Sequence, residues 1–522
     1  MGMVALEQRI ASAFFVNCGH YGDVSHFAQQ QGLSRQWVYR LAKQVADILG
    51  DGTQIQQEMD RLRSENTALR QEVARQQQRL ARAVVLDDAK QTEFACVGQA
   101  CGVTLGNCHT LLDVLIPGGQ LSVPALGRRT HAAGKKAGPL LAVLDEFAKP
   151  LVRDGAGDEI YVKAPVLMVV EQESLCWISG RLSEEVSGAA WSHEFAQLPN
   201  LEQLARDGGL ALAKGVALEN AQRQEQDRAP IVDQGDHFHA TWNGGVGLRR
   251  AEMRTSKAIA QAELAEKALE ECARQGKSQT GAASRVYQAW KKAEKAMDEW
   301  REMECVWRQT TDALPLITPE GELNTRAKAE AVFAQTLPQL PDSDFAKTKR
   351  QLQRPEMFNY LDRVEAKLKQ LPFAEEVTQA AVQQEALRRR PDLLKGESPK
   401  AAALRGVLLM CAVVLSKAEQ GPHALAAVRE IFRRAYRASS LVECINSVLR
   451  MQQAQHRKMT QGLLDLKRMY WNCHKFRTGR RRGTTPYQRL GVVWPEGLRW
   501  PDVLKLTPEQ LRDKLSTAQN AA

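Results

Sequence analysis

Apolar positions change their period several times along this chain, and each change marks a different kind of element. Between residues 21 and 49, Val24, Phe27 and Ala28 make one short helical face. Gly32 interrupts it and Leu33 packs beneath the turn. Ser34 then caps a second helix with Val38, Leu41, Val45 and Ile48 inward. From residue 55 to 80 the spacing alternates between four and three: Ile55, Met59, Leu62, Asn66, Leu69, Val73, Gln76, Leu80. Residues 91–150 carry two more helical runs, one from Ser122 and Pro124 through Leu126, the other over 140–147. After residue 157 the pattern shortens to strand length. Residues 158–162, 164–170 and 175–178 are apolar runs parted by turn residues. Residues 204–206 read as a strand end, Asp207-Gly208-Gly209 as a turn, and 210–219 as a helix. Residues 248–430 are helical almost throughout, with 248–274 and 283–314 forming a long hairpin about the 276–281 turn. The predicted class is α+β, multidomain and mostly α.

The first two patterns suggest tasks. In the 21–49 helix-turn-helix the outward residues Arg35, Gln36, Tyr39, Arg40 and Lys43 are of the types that contact bases and phosphates. A small bundle with a solvated basic face is the plainer alternative. In the 55–80 heptads, Met59, Asn66, Val73 and Leu80 take a positions and Ile55, Leu62, Leu69 and Gln76 take d positions. Glu58 and Glu65 at g face Arg63 and Arg70 at e across a parallel pair. This predicts a homodimeric coiled coil whose register is set by Asn66. The alternative is a long helix packed on its own chain.

The chain has 522 residues, enough for three or four domains, and 71 Lys+Arg against 61 Asp+Glu leave it at +10. That balance favours a polyanionic partner. The ten cysteines are scattered, as in a reduced cytosolic protein. Cys96, Cys101 and Cys108 with His109 lack a paired zinc-knuckle spacing and read as small buried thiols. No signal peptide is evident. The most apolar stretch, 406–415, is too short for a membrane span and reads as a buried helix.

Residues 439–450 focus the chemistry. Ser439 or Ser440 caps a helix, and Leu441, Ile445, Val448 and Leu449 form its apolar stripe. Glu443, Asn446, Ser447 and Arg450 share another face. A carboxylate followed by polar and basic residues suits a helix that holds a metal ion beside a phosphate backbone. The run resembles the glutamate helix of bacterial insertion-sequence DDE transposases, whose catalytic domain is RNase H-like. In that family one aspartate lies on the first strand, a second ends the fourth, and the glutamate sits on a late helix. Asp158, Asp207 and Glu443 occupy those places in that order. The step of 236 positions from Asp207 to Glu443 leaves room for an all-helical insertion, which resembles the hAT group. Asp236 and His239 form a D-x-x-H similar to the C/D-x-x-H of that group, with His237 a close competitor. Each residue has an ordinary alternative: a strand-end turn, a glycine turn, a helix-dipole partner, a satisfied histidine. Residues 483–491 resemble the closing motif of many insertion-sequence transposases.

The resemblance implies a DNA transposase that binds element ends, cuts by divalent-metal-dependent hydrolysis and joins the 3′ end to target DNA. Asp158, Asp207 and Glu443 would ligate two ions of Mg2+ or Mn2+, held about 4 Å apart by hard carboxylates, with His239 or Asp236 assisting. Arg450, Arg457, Arg480, Arg481 and Arg482 would follow the DNA backbone. The insertion's Trp290, Trp300 and Trp307 read as core, or as a platform for a base or DNA end. The expected order is a helix-turn-helix domain (1–52), coiled coil (53–86), second helical and DNA-contacting unit (87–150), first catalytic part (151–240), insertion (241–430), second catalytic part (431–491) and tail (492–522). Expected partners are double-stranded DNA and a second copy, with no membrane and no small-molecule substrate, in the bacterial cytoplasm at the nucleoid. Two rivals are a catalytically inactive DNA-binding regulator and an RNase H-like nuclease that cuts without joining.

Overall fold

Capping and one glycine turn set the first helices. The computed structural model describes residues 5–50, 52–82, 85–453 and 459–521. Leu6–Cys18 (α1), Asp23–Gln30 (α2) and Arg35–Leu49 (α3) form a three-helix unit. The Trp37 amide donates to Ser34 Oγ at 3.2 Å, which starts α3. Gly32 takes φ +65°, a left-handed turn that a side chain would strain. Phe15 stacks on Phe27 at 4.6 Å over Ala28 and Val38. Val38, Leu41 and Val45 are buried as the period predicts, but Ile48 is exposed. The packing on the fifteen-residue α3 comes chiefly from α1 rather than from the eight-residue α2, and the inward stripe ends at Val45.

Gly52–Arg82 (α4) is a single 31-residue helix. Met59 lies under Cys18, its sulfur 3.0 Å from that thiol. Further along, Leu62, Leu69 and Val73 are exposed. The side chains of Ile55 and Leu80 lie outside the described residues. The chain divides into two compact units, Met1–Leu86 and Asp87–Ala522.

The second unit is mostly helical with one small mixed sheet. Asp88–Ala100 (α5) and Leu105–Leu115 (α6) precede Val123–Ala148 (α7). The sequence suggested two runs over 122–147, yet α7 is continuous through Pro139. Its buried stripe of Ala137, Leu140, Leu144 and Ala148 belongs to the sheet's core and carries the helix past the missing N–H. Arg128, Arg129, His131, Lys135 and Lys136 therefore lie on one continuous helix.

The sheet comprises Asp154–Tyr161 (β1), Pro165–Glu171 (β2), Trp177–Leu182 (β3), Gln203–Arg206 (β4) and Val232–Gly235 (β5) in the order β3-β2-β1-β4-β5. β1–β2 and β2–β3 are antiparallel; β1–β4 and β4–β5 are parallel. Period two sorts β2 cleanly. Leu167 and Val169 join the core with α7, Gly188–Ala196 (α8) and Leu210–Glu225 (α9). Val166, Met168 and Val170 join the opposite core, with Ala156 and Ile160 of β1.

A helical insertion follows β5. His237–Arg274 (α10) and Thr280–Asp312 (α11) are the expected hairpin, α10 starting eleven residues earlier than its apolar period announces. Arg326–Thr336 (α12), Asp342–Leu352 (α13), Asn359–Lys369 (α14), Glu375–Arg388 (α15), Pro399–Lys417 (α16) and Gly421–Arg433 (α17) complete it around a core of its own. Buried ions fasten it to the sheet. Asp154, fully buried at the start of β1, receives Arg363 of α14 at 2.6 Å and Arg434 at 2.7 Å. Burial opposes the charge of Glu202 beside this pair, but Lys367 and Arg363 hold its carboxyl down at about 2.

The apolar 406–415 stretch is not a buried helix. In α16 only Ala401, Cys411 and Leu415 are buried, while Leu409 and Met410 are 67% and 65% exposed, because α15 and α17 pack on one side alone. Among the described residues α16 alone is long and apolar enough to cross a membrane, by length and composition, with a mean hydropathy of 1.6.

Ser440–Gln453 (α18) lays Val442, Ile445 and Leu449 on the sheet face opposite α7. Gln461–Cys473 (α19), Pro486–Leu490 (α20), Trp500–Val503 (α21) and Pro508–Ala521 (α22) close the chain. Residues 492–521 are no tail: Val492, Trp500, Val503, Leu511 and Leu515 are buried in the α7 core. In the 483–491 motif, Thr485 and Gln488 form a capping box and Tyr487 is fully buried.

Candidate functional site

The parallel strands β4 and β5 end in one row beside the middle of β1, which runs on to Tyr161. The register aligns Gly157 of β1 with Arg206 of β4, and Arg206 with Gly235 of β5. The next residue of each is an aspartate: Asp158, Asp207 and Asp236. Open α/β sheets bind ligands at such carboxyl ends. Arg206, buried in this rim, clamps Asp233 with two hydrogen bonds of 2.7 and 2.6 Å and donates to the Asp207 carbonyl at 2.9 Å.

Carboxylates crowd here. Ligand oxygens of Asp158, Glu159 and Asp207 all lie within 4.8 Å of one another. Burial, then the charges of Asp207 and Glu443, push Asp158 up to about 7, although the Glu159 amide donates to it at 2.8 Å. Burial likewise raises Glu159, which accepts from Trp191 Nε1 of α8 at 2.9 Å. Glu159 was not singled out from the sequence. Strand alternation turns it away from Asp158, and only the shared edge of β1 and β4 lets both reach Asp207.

Glu443 approaches from α18. Its Oε1 is 3.9 Å from His239 Nε2 and its Oε2 accepts from Arg450 Nη1 at 2.8 Å. It stands outside the 4.8 Å group, drawn toward these two bases and away from the other carboxylates. Asn446, one turn on, is fully buried and donates from Nδ2 to Asp158 Oδ2 at 2.6 Å; its Oδ1 has no hydrogen-bond partner.

Asp236 caps α10, accepting from the Phe238 amide at 2.7 Å, and also receives Ser439 Oγ at 2.9 Å. Its other bond is to His239 Nδ1, which raises the imidazole's pKa and turns Nε2 toward Glu443. His239 thus sits in a first helical turn, not at a strand end. His237 is a structural residue: buried, hydrogen-bonded through Nε2 to the Met357 carbonyl at 2.7 Å, and pushed down to about 4 by desolvation.

The proposed DNA contacts divide. Arg35, Gln36, Tyr39, Arg40 and Lys43 form an exposed face of α3, where Arg40 lies 5.6 Å over the Trp37 ring. Arg450 is committed to Glu443, and Arg480 and Arg482 are exposed. Arg481 is spent on the fold, donating to the carbonyls of Glu173 and Gln172 at 3.1 and 3.3 Å. Arg457 lies outside the described residues. Trp307 is buried against Phe345 at 5.7 Å, and Trp290 Nε1 donates to Glu266 at 2.7 Å.

No family model, curated protein or solved structure matches this chain.

Proposed function

We propose that the chain is a DDE transposase with an RNase H-like catalytic domain. The observation that carries this reading is the assembly of Asp158, Asp207, Glu443, His239 and Asp236 at one sheet edge, from segments spread over 158–443. Their placement on the first strand, after the fourth strand and on a late helix is the arrangement the resemblance implies.

The residues suit a hard divalent cation. The donors are carboxylate oxygens, and burial followed by the charges of Asp207 and Glu443 raises the Asp158 pKa, so a positive charge there would offset both. Asp158 and Asp207 would hold Mg2+ or Mn2+, with Glu443 completing the set. When bound, such ions activate a water or 3′-hydroxyl and stabilise the leaving oxygen. The chain's own residues do the rest. Asn446 fixes the orientation of Asp158. His239, its pKa raised by the hydrogen bond to Asp236, steers Glu443 and offers Nε2 to a phosphate oxygen. Exposed α3 residues would read element ends, and the bare seam of α4 would pair two copies in the cytoplasm.

The test is an assay on a duplex carrying the DNA that flanks the gene, with Mg2+ or Mn2+, scoring cleavage and strand transfer separately. Metal-dependent cutting and joining are expected. Cutting without joining would mean a nuclease, and specific binding without either would mean a regulator.

A further inference from the structure

A cavity of about 240 Å³ lies between α18, α19, β3 and the end of α5. Trp177, Ile445, Leu449 and Trp471 give it apolar walls. Lys467 of α19 also lines it, although this residue is only 3% exposed. Its Nζ donates to the Gln99 carbonyl of α5 at 2.8 Å and to Gln452 Oε1 of α18. It has no ion pair among the described residues. The turn after α5 presses on the same Gln452, and a Cβ on Gly102 would collide with it. One amine thus ties the end of α5 to the helix that bears Glu443.

A lysine nitrogen has a tetrahedral set of positions. At Lys467 the side chain fills one and the two acceptors take two more, which leaves the fourth without a partner among the described residues. Burial pushes the amine down to about 7, with the nearby Cys101 thiol acting the other way. Once the proton is gone, the fourth position is a lone pair in an apolar pocket, the setting in which lysines attack carbonyl carbon. We propose that Lys467 is a covalent capture site for a small uncharged aldehyde, held as an imine inside this cavity. The amine adds to the carbonyl carbon. A C=N bond replaces the C=O bond, and the oxygen leaves as water with both amine protons, so no oxidant or reductant is consumed. The apolar walls select an aryl or short alkyl body over a charged one. A neutral imine has no N–H, so capture breaks the bonds to Gln99 and Gln452 and loosens the hold of α5 on α18. The inference stands apart from the DNA-cutting reading.

The test treats the full chain with one molar equivalent of benzaldehyde and with cyanoborohydride, which fixes the imine, and maps the labelled peptides by mass. An ordinary lysine titrates at about 10.4 and is almost wholly protonated at neutral pH, whereas about half of Lys467 is free amine there. Lys467 should therefore be labelled faster than exposed lysines such as Lys257 and Lys514, on the order of tenfold or more. The excess should shrink toward pH 10 as the exposed amines lose their protons. Cys101, Tyr470 and His474 are the other titratable groups on the cavity, and α18 and β3 line it with uncharged residues only. Cys101→Ser and His474→Gln, run beside the parent, should keep the profile. In denaturing urea the excess should vanish with the pocket. Val448→Trp, which fills the cavity from α18, should protect Lys467 and leave the exposed rates alone. Equal labelling of Lys467 and the exposed lysines at pH 7 in the folded parent overturns the proposal, as does an excess that survives urea or a folded Val448→Trp chain labelled as before.

Discussion

Asn446 donates to Asp158 across 2.6 Å, although 288 positions of chain separate them. This bond ties α18 to the central strand and engages Oδ2 of Asp158, leaving Oδ1 to the Glu159 amide. Asn446→Ala leaves a buried, crowded carboxylate with the Glu159 amide but without its side-chain donor. We expect a stability loss of about 1.5–3 kcal/mol, as for a hydrogen bond to a charged group. DNA cleavage should fall by at least tenfold with DNA affinity unchanged. Denaturant unfolding and filter binding, run beside the cleavage assay, check the three parts.

Asp158→Asn, Asp207→Asn and Glu443→Gln should each abolish cleavage and joining while leaving specific DNA binding intact, because a neutral amide is a poor ligand for a hard cation. Substantial Mg2+-dependent cleavage by one variant would remove that residue from the ligand set.

The raised Asp158 carboxyl gives a pH signature independent of activity. Its ordinary value is 3.8 and its folded value about 7, so between these limits the folded state binds the extra proton. Stability contributed at this position therefore falls as pH rises through that window, by an amount on the order of a few kcal/mol. Asp158→Asn should raise the melting temperature relative to the parent at pH 8 and converge with it near pH 4. Mn2+ should stabilise the parent more at pH 8 than at pH 5. A constant difference between parent and variant across this range would contradict the assignment.

On α3, Arg35→Ala or Arg40→Ala should weaken binding to element ends by about 1–3 kcal/mol if the lost contact is bidentate to a base. The Arg40 loss also removes its packing over Trp37. Binding isotherms at several salt concentrations separate base contact from phosphate contact: only the latter changes the slope.

Along α4, the exposed Leu62 and Leu69 need a partner that their own unit does not supply. Leu62→Asp with Leu69→Asp should make the protein monomeric and block paired-end cleavage, with single-site binding reduced only by lost avidity. Asn66→Leu should strengthen association while loosening its register. Sedimentation of the full chain decides; an unchanged dimer in the double variant would make α4 a strut.

How far the sequence could be read follows from where each residue finds its partner. Helices α3, α4, α10 and α11 were legible because their caps and periods are local. The strands around Asp158 and Asp207 were legible from short apolar runs between turns. Burial decided by remote packing was not. Ile48 obeys the inward period of α3 but outruns its cover. The apolar α16 has only one packed side, and 492–521 look polar enough for a tail until Leu511 and Leu515 meet α7. Within the site, Asn446 was placed on the right face of its helix, but its burial depends on β1. Glu159 carries no local signal at all, since neither period nor spacing marks a residue whose neighbours arrive from another segment.

The division of the site across the insertion also has a timing. Asp158 and Asp207 are adjacent once β1 and β4 pair, whereas Glu443 is synthesised 236 positions later. At about 5–20 residues per second, a nascent chain carries its acidic pair for roughly 10–50 s before the third carboxylate leaves the ribosome. The three-helix unit is complete far earlier. On the proposed function, a chain still being made, or one broken off before α18, would occupy DNA well before it could cut it, so the order of synthesis would itself separate recognition from damage.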